Sequence, residues 1–406
     1  MKPRVKIELK ELAKEQALYP QESLMKIKED NYKLLIGIPK ESEELENRVC
    51  LTPEAVALLI NNGHEVVVET NAGRNAKYTD NDYSEAGAKI SYSTEEVFQS
   101  DIILKIDPPT IEEIGYMKFG KTLISALQTA KLTPEYFHAI NKRKITALAF
   151  EFIEDKAGGM PVVRAMSEIA GSTVMLIAAE YLNSANGKGV ILGGITGVPP
   201  TKVVIIGAGT VAEYAARTAL GLGAEVKVFD NQVYKLRRLK HDLGVQIYTS
   251  TIDTITLQNE LKEADVVIGS LRSDEGSPCV VTEEMVSQMR PNSVIIDVSI
   301  DQGGCFETSK LTDHNNPIFR KYDVIHYCVP NISSRVARTA TTALSNIFTP
   351  ILLLIGKKGG VEATIYTKEW FMRGIYSYKG NLSNQYIAKK FNLKYKDLNL
   401  LLAARF

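Results

Sequence analysis

The sequence predicts an α/β fold of two domains with parallel sheets, in which the second domain is inserted into a discontinuous first domain. Short apolar segments alternate with helical segments, which is the pattern of parallel strands joined by crossover helices. This alternation starts near residue 33 and starts again after residue 189. Long helical segments at residues 167–183 and 334–355 flank the second unit. The chain is therefore expected to pass between the two units twice.

The individual elements follow from the same pattern. The first unit opens with a strand at residues 33–39 and a helix at residues 53–62, and its further strands are predicted at residues 65–69, 101–106, 122–126 and 146–150. In the second unit, strands are predicted at residues 203–206, 226–229, 266–269, 294–298 and 324–327. Ser167, one residue before Glu168, is the predicted N-cap of the first long helix.

The domain boundaries are predicted from these elements. Residues 33–163 and 338–406 form the discontinuous first domain, and residues 164–337 form the inserted domain. Residues 1–32 interleave Lys with Glu and Leu, and the spacing of Ile7, Leu9 and Leu12 predicts an amphipathic helical extension. Such a helix is expected to pack on its own protein or on a neighbouring subunit.

The composition is that of an ordinary globular chain and excludes several classes of partner. Of the 406 residues, 45% are hydrophobic and 24% are charged, and Lys+Arg and Asp+Glu both number 48. This balance gives no field that would recruit nucleic acid or an acidic membrane, and no signal peptide or membrane span is predicted. The scattered cysteines indicate a reducing, cytoplasmic compartment and no metal site. All four are expected to be buried: Cys50, Cys279, Cys305 and Cys328.

Residues 203–230 contain an apolar strand, a glycine turn, a helix, a second strand and a terminal acid, the pattern of a Rossmann dinucleotide-binding unit. Gly207 allows the sharp turn, Gly209 lets the backbone approach a pyrophosphate, and Ala212 takes the third small position. Thr210 and Val211 open the helix whose N-terminus faces the phosphates.

The acid at the end of this pattern is Asp230, 23 positions after Gly207. At about this separation, a carboxylate can accept hydrogen bonds from both ribose hydroxyls, which favours NAD over NADP. The alternative is a Rossmann-like structural unit that binds no nucleotide. The sequence context favours NAD as the cofactor.

Several blocks resemble the alanine dehydrogenase/transhydrogenase family. They are Ile36-Gly-Ile-Pro-Lys-Glu41, Glu46-Asn-Arg-Val49, Leu51-Thr-Pro53, Leu104-Lys105, Met166-Ser-Glu-Ile-Ala-Gly171, the turn at Gly207, and Ile300-Asp-Gln-Gly-Gly-Cys-Phe-Glu307. The resemblance implies a discontinuous substrate domain around a central NAD domain, and a homo-oligomer, either a hexamer or a dimer. It also implies reversible, NAD-dependent oxidative deamination of L-alanine to pyruvate and ammonium.

Two cations are candidates for binding the substrate. Arg48 provides a planar fork suited to a carboxylate, and by resemblance it is the substrate-binding arginine. Its alternative is a surface arginine paired with Glu46 or Glu44. Lys105 ends a predicted central strand, where ligands bind in open α/β sheets, and it resembles the family's catalytic, substrate-contacting lysine. Its alternative is a structural ion pair, for instance with Asp107.

Further candidates come from the remaining blocks. Asp301 follows a predicted strand and matches the family's catalytic aspartate, whereas by itself it could equally end the strand as a turn stabiliser. Gly303 and Gly304 give the backbone after it freedom to approach a nicotinamide. Ser167 matches a family position that contacts the cofactor, and Asn331 matches one near the nicotinamide. Each of these two, taken alone, is more often a cap.

One departure from the family concerns Gln128, which stands at the catalytic position where alanine dehydrogenases usually have histidine. Glutamine can hold a carbonyl group but cannot take up a proton. We therefore expect Lys105, beside Asp301, to handle the proton with a pKa lowered toward neutrality. The departure leaves open a saccharopine-type dehydrogenase, a transhydrogenase NAD(H)-binding subunit, or a catalytically weak NAD-binding regulatory protein.

Overall fold

The structure is a computed structural model that describes residues 32–42, 45–155, 157–273 and 276–404. The N-terminal helix predicted over residues 1–32 lies outside these ranges, apart from Tyr32. Within the described ranges the chain forms two sheets flanked by helices, and both sheets are mostly parallel. The predicted fold class is confirmed.

The first sheet has eight strands in the order β15-β14-β6-β5-β4-β1-β2-β3. Strands β1 to β6 pair in parallel, whereas β14 is antiparallel to β6 and to β15. The strands are β1 Leu35–Ile38, β2 Glu65–Glu69, β3 Lys89–Ser91, β4 Ile102–Leu104, β5 Thr122–Ser125, β6 Thr146–Ala149, β14 Ile375–Tyr378 and β15 Asn381–Leu382. The C-terminal segment therefore returns to the first sheet, as the sequence predicts.

The second sheet has seven strands in the order β12-β13-β11-β10-β7-β8-β9, and only β12 at its edge is antiparallel among the described strands. The strands are β7 Lys202–Ile206, β8 Glu225–Phe229, β9 Tyr248–Ser250, β10 Val266–Gly269, β11 Val294–Asp297, β12 Ile318–Lys321 and β13 Val324–Tyr327. These positions agree with the five strands predicted for this unit to within two residues at each end.

Helices cover the sheets. They are α1 Pro53–Asn61, α2 Asp80–Glu85, α3 Thr94–Phe98, α4 Ile111–Tyr116, α5 Pro134–Lys142, α6 Pro161–Leu182, α7 Thr210–Gly221, α8 Val233–Leu243, α9 Thr254–Glu263, α10 Glu283–Ser287, α11 Ala337–Lys357, α12 Val361–Thr367, α13 Glu369–Met372, α14 Gln385–Phe391 and α15 Leu398–Ala403. Short 3-10 turns occur at Arg74–Ala76, Phe150–Phe152, Ile300–Gln302 and Ile332–Val336.

Two sequence expectations are wrong. Helix α6 begins at Pro161, so Ser167 lies in its second turn and is not the N-cap. Proline at the first helical position has its φ already set for a helix, which explains the earlier start. Cys279 is exposed, whereas the other three cysteines are buried as expected.

Both sheets contain a point at which the strand order reverses. Numbered from its own first strand, each sheet contains the strand order 3-2-1-4-5, with the reversal between β1 and β4 in the first sheet and between β7 and β10 in the second. Ligands of open α/β sheets bind outside the carboxyl ends of the strands at such reversals. The ligand-binding residues are therefore expected to follow these four strands.

Two described segments are long and apolar enough to cross a membrane by length and composition, Pro161–Leu182 and Ile332–Lys357. In their most apolar windows, 39% and 56% of the residues are buried inside the protein. Helix α6 packs along α7 and against α11. Helices that fill a protein core pass the same test of length and composition.

Candidate functional site

A cavity of about 320 Å³ lies where the two units meet. Residues from both units line it. Arg48 and Glu151 belong to loops of the first sheet, and Ser270, Asp301 and Asn331 belong to loops of the second. These loops follow the carboxyl ends of strands, which is where a parallel sheet places its ligand-binding groups.

Arg48 lies in an extended segment that is fastened to helix α11. The N–H of Val49 donates to the Thr341 hydroxyl at 3.1 Å, and the N–H of Thr52 donates to the Ser345 hydroxyl at 2.6 Å. The two hydroxyls are four residues apart and therefore share one face of the helix. This attachment fixes the backbone from which the Arg48 side chain reaches the cavity.

The Arg48 guanidinium forms a buried, bidentate ion pair with Glu46. Its Nε donates to Glu46 Oε1 at 2.7 Å and its Nη2 donates to Oε2 at 2.6 Å. The exposed fractions of the two side chains are 9% for Arg48 and 1% for Glu46. The pairing with Glu46 agrees with the alternative considered from the sequence, but Arg48 is not a surface residue.

Asn331 joins this ion pair from the second unit. Its Nδ2 donates to Glu46 Oε2 at 2.6 Å, and its backbone adopts the left-handed region with φ of 57°. The Ser333 hydroxyl accepts from Arg48 Nη1 at 3.2 Å, and the Ser334 hydroxyl donates to Glu46 Oε1 at 3.3 Å. The segment after β13 therefore orients the pair.

The electrostatic surroundings of the Arg48–Glu46 pair favour the charged form of both groups. Burial by itself would raise the pKa of Glu46, but the charge and hydrogen bonds of Arg48 outweigh burial and lower it. Burial would likewise lower the pKa of Arg48, but the charge and hydrogen bond of Glu46 together with the charges of Asp107 and Glu41 raise it. Both groups are ionised at neutral pH, and the positive charge at the cavity wall is permanent.

Lys105 follows β4 at the reversal point of the first sheet and is completely buried. Its Nζ donates to Glu41 Oε2 at 2.9 Å and to the Ser42 hydroxyl at 3.1 Å. Glu41 follows β1, the neighbouring strand at the reversal, and its other oxygen accepts the N–H of Ile106 at 2.7 Å. The ion pair of Lys105 is therefore with Glu41 and not with Asp107, which adds only its charge.

The expected lowering of the pKa of Lys105 is wrong. Burial is the largest influence and lowers the pKa of this lysine, but the charge and hydrogen bond of Glu41 together with the charges of Glu113 and Asp107 outweigh it, so the pKa is raised. The group that titrates near neutrality is Glu41, because burial raises its pKa to about 7 even though Lys105 opposes the change.

Gln128 is held in place by hydrogen bonds on both sides of the turn after β5. It follows β5 with φ of 39°, an uncommon conformation for a residue with a Cβ. Its Nε2 donates to Asp107 Oδ1. Glu151, after β6, accepts the N–H of Leu127 at 2.7 Å and so fixes the turn that carries Gln128. The amide of Gln128 orients Asp107, one of the charges acting on Lys105.

Asp301 lies in the 3-10 turn after β11, which ends at Gly303 with φ of 105°. Asp301 is exposed to solvent, although the protein packed around its carboxyl group raises its pKa. The opposing positive charges are those of Lys131 and Arg48. Asp301 therefore shares its cavity with Arg48, whereas Lys105 has Glu41 as its partner.

The glycine turn of the second sheet has the geometry of a phosphate cradle. Gly207 has φ of 110°, and a Cβ there would lie 2.8 Å from the carbonyl oxygen of Ser270. Gly209 is the N-cap of α7, and a Cβ there would meet open space. Among the described residues, no side chain caps this helix, so its first N–H groups remain available to an anion.

Helix α7 packs closely against the second sheet and against α6. Ala212 is fully buried against the sheet. A Cβ at Gly171 of α6 would overlap the carbonyl oxygen of Val211, so these two helices touch only because residue 171 has no side chain. Thr210 and Val211 form the first turn of α7, and Val211 and Ser167 line the cavity.

Asp230 is buried at the end of β8, beside the glycine turn. Its Oδ2 accepts the N–H of Ala208 at 2.8 Å and its Oδ1 accepts the N–H of Gln232 at 2.7 Å. The carboxylate is thereby oriented at the position where a ribose would lie. Together with the open N-terminus of α7, this arrangement fits a dinucleotide. No cluster of metal-ligating side chains occurs among the described residues.

Comparisons with known proteins agree with this arrangement. Residues 37–170 match the family model "Alanine dehydrogenase/PNT, N-terminal domain", and residues 173–385 match "Alanine dehydrogenase/PNT, C-terminal domain". The chain belongs to the alanine dehydrogenase/PNT family. It is 39% identical to Alanine dehydrogenase 2 of Staphylococcus aureus (strain USA300) over 369 residues, covering 89% of this chain and 98% of that protein.

Solved structures show the same relationship. An L-alanine dehydrogenase superposes with a TM-score of 0.83 at 34% identity, covering 88% of this chain and 99% of the other. A transhydrogenase from Sinorhizobium meliloti superposes with a TM-score of 0.74 at 24% identity, covering 87% and 99%. The second likeness shows a shared fold alone.

Sequence reasoning missed two acids that organise the site, Glu41 and Glu46. Both lie in the blocks that carry the resemblance, but neither was assigned a role beyond the possible pairing of Glu46. The available signal was position, since Glu41 follows a buried strand by three residues and is itself a charged side chain at a strand end. Ser333 and Ser334 gave no comparable signal.

Proposed function

We propose that this protein catalyses the reversible, NAD-dependent oxidative deamination of L-alanine to pyruvate and ammonium. The observation that carries the proposal is that Arg48 and Asp301 line one cavity between a dinucleotide cradle and the substrate loops. The named relatives, which are alanine dehydrogenases over nearly their whole length, support the choice of reaction.

NAD supplies a hydride acceptor when it is bound. Gly207, Gly209 and the first turn of α7 would hold its phosphates, and Asp230 would accept from its ribose hydroxyls. The orientation of Asp230 by two backbone N–H groups supports this role, because a carboxylate fixed in advance loses little entropy on binding. Ser167, Thr210, Val211 and Asn331 remain proposed contacts of the cofactor.

Arg48 would bind the substrate carboxylate through Nη1. This nitrogen contacts the Ser333 hydroxyl and, at 3.4 Å, the sulfur of Met166. A thioether is a weak acceptor, so a carboxylate would replace that contact at little cost. Glu46 occupies the opposite edge of the guanidinium and holds its plane in a fixed orientation.

Asp301 and Lys105 would complete the chemistry. Asp301 lines the same cavity as Arg48 and would orient the amino group or the attacking water. Lys105 remains a proposed contact of the substrate carbonyl, but in this structure it is completely buried against Glu41 and does not line the cavity, so substrate binding would have to expose it. Gln128 would act through Asp107. Because glutamine cannot take up a proton, a catalytically weak NAD-binding regulatory protein is the second candidate function.

The proposal includes a homo-oligomer in the cytoplasm, with domain boundaries at residues 33–163, 164–337 and 338–406. An exposed apolar surface supports self-association. Ile195 and Val198 pair across a turn, and the N–H of the nearby Gly194 donates to the carbonyl oxygen of Leu222 at 3.2 Å. The exposed fractions of Ile195, Val198 and Leu222 are 57%, 60% and 42%. Exposed apolar side chains that lie near one another are typical of subunit contacts.

The test is to follow NADH absorbance with L-alanine and NAD, and with pyruvate, ammonium and NADH, beside a panel of small amino and keto acids. We expect turnover with alanine, and an Arg48→Ala variant losing roughly 2–5 kcal/mol of transition-state stabilisation with unchanged affinity for NAD. Arg164→Ala, which removes an exposed arginine, is the matched control. An unreactive wild type that binds NAD would contradict the proposal and favour the regulatory function.

A further inference from the structure

Arg238 contacts the glycine turn of the dinucleotide cradle from helix α8. Its Nη2 donates to the carbonyl oxygen of Ala208 at 3.2 Å, and Ala208 lies between Gly207 and Gly209. Asp230 contacts the same residue, because its Oδ2 accepts the N–H of Ala208 at 2.8 Å. One fully buried residue of the turn is therefore held by a cation at its carbonyl oxygen and by an anion at its N–H.

The two charged groups lie close together without forming an ion pair with each other. Because they contact the N–H and the C=O of one residue, Arg238 Nη2 and Asp230 Oδ2 are at most about 10 Å apart by ordinary backbone dimensions. In the described part of the chain, the ion pair of Arg238 is with Asp242 on the same helix, at 3.8 Å from Nε. The Arg238 side chain is 49% exposed, so a ligand can reach its remaining N–H groups.

Helix α8 carries mostly positive charge next to this turn. Its charged residues include Lys235, Arg237, Arg238 and Lys240, against the single acid Asp242. Lys235 and Arg238 are three residues apart and therefore share one face of the helix. The planar fork of a guanidinium is suited to a phosphate group, which it can bind through two N–H groups. The chemistry of this surface therefore fits a phosphate beside the turn.

We propose that Arg238 determines how well this protein accepts NADP, because its guanidinium would bind a phosphate on the adenosine ribose. The inference rests on the proposed position of that ribose beside Asp230. In dinucleotide-binding folds, an acid at this position accepts from the 2′-hydroxyl of NAD, whereas a nearby arginine accommodates the 2′-phosphate of NADP. This chain has both groups, and both are attached to Ala208.

The repulsion by Asp230 prevails in the wild type. Asp230 is 5% exposed, whereas the Arg238 side chain is 49% exposed, so solvent screens the attraction of the arginine more than the repulsion of the acid. A phosphate monoester carries about −1.5 to −2 charges near neutral pH, which strengthens that repulsion. The wild type therefore prefers NAD, and Arg238 supplies the affinity for NADP that remains.

The experiment measures the dissociation constants of NAD, NADP, AMP and adenosine 2′,5′-bisphosphate by calorimetry, with the melting temperature of each variant. Arg238→Met should weaken binding of the two ligands with a 2′-phosphate roughly 10-fold, as losing a charged hydrogen bond does, with little change for NAD and AMP. Arg237→Met, the same change at the neighbouring exposed arginine, is the matched control and should change none of them. Asp230→Ala should tighten NADP binding, and adding Arg238→Met should remove that gain.

The ratio of the NADP and NAD dissociation constants separates this role from a structural one. An arginine that only braced Ala208 would affect all four ligands by the same factor, so an equal loss in Arg238→Met overturns the inference. So does an Asp230→Ala/Arg238→Met variant that binds NADP as tightly as Asp230→Ala. Added salt should weaken NADP more than NAD in the wild type, and Arg238→Met should lose that difference. A wild type that binds neither NAD nor AMP instead overturns the proposed position of the cofactor.

Discussion

Replacing Glu46 by glutamine should destabilise the protein far more than replacing an acid in a surface ion pair. Glu46→Gln leaves the Arg48 guanidinium buried without a counter-charge, and its single carbonyl oxygen can replace only one of the two oxygens that accept from Asn331 Nδ2 and the Ser334 hydroxyl. Removing one member of a buried ion pair costs about 3–5 kcal/mol. The glutamine carbonyl can still accept one N–H, so we expect a loss near 3 kcal/mol.

The matched control is Glu369→Gln. Glu369 pairs with Arg373 at 3.3 Å, and the exposed fractions of the two side chains are 74% and 53%. Exposed pairs four residues apart on a helix contribute about 0.3–0.5 kcal/mol. The two variants make the same chemical change, so the difference between their losses in free energy of unfolding measures the effect of burial.

The assay is urea unfolding followed by the fluorescence of Trp370, the single tryptophan of the sequence, which lies on α13 of the first unit. Because burial would raise the pKa of Glu46 while Arg48 lowers it below 4.5, its stabilisation is present above that pH. It is lost as the pH falls through the lowered pKa. The difference in the free energy of unfolding between wild type and Glu46→Gln should therefore decrease as the pH falls. Equal losses in Glu46→Gln and Glu369→Gln at neutral pH would refute the reasoning.

Three further outcomes are expected. Gly171→Ala should lower the melting temperature and weaken NAD binding, because its Cβ meets Val211, while Gly115→Ala, in open space on α4, should not destabilise the protein. Asp230→Ala should narrow the preference for NAD over NADP in calorimetry, and equal affinities already in the wild type would contradict its role. Gln128→His should raise turnover without changing NAD affinity, since an imidazole can take up a proton, and a rate no higher than the wild type would count against a missing proton acceptor at that position.

The site brings together side chains that are far apart in the sequence. Glu41 and Lys105 are 64 residues apart, and Arg48 and Ser333 are 285 apart. Both contacts arise because parallel strands present their carboxyl ends at one edge of a sheet and because α11 fastens the Arg48 segment. The chemistry therefore depends on strand order more than on any single motif.

The sequence by itself determined the elements of this fold and the cofactor cradle. Apolar runs of four or five residues between helical segments located the strands, because a strand buried on both faces needs a continuous apolar run. The turn at Gly207 was readable because only glycine tolerates its φ of 110° so close to Ser270. These features are local, so a short stretch of sequence carries the whole signal.

Only the tertiary structure decided which charges face one another. The sequence placed Lys105 at a strand end but indicated Asp107 or Asp301 as its partner, whereas β1 pairs with β4 and brings Glu41 to it. With that partner, the pKa of Lys105 is raised, whereas the sequence analysis expected it to be lowered. Burial and a counter-charge have opposite effects on a pKa, and their balance depends on distance. The start of α6 at Pro161 and the contact at Gly171 were likewise settled by packing. Long-range pairing and close approach depend on the order in which strands and helices assemble, which no local pattern records.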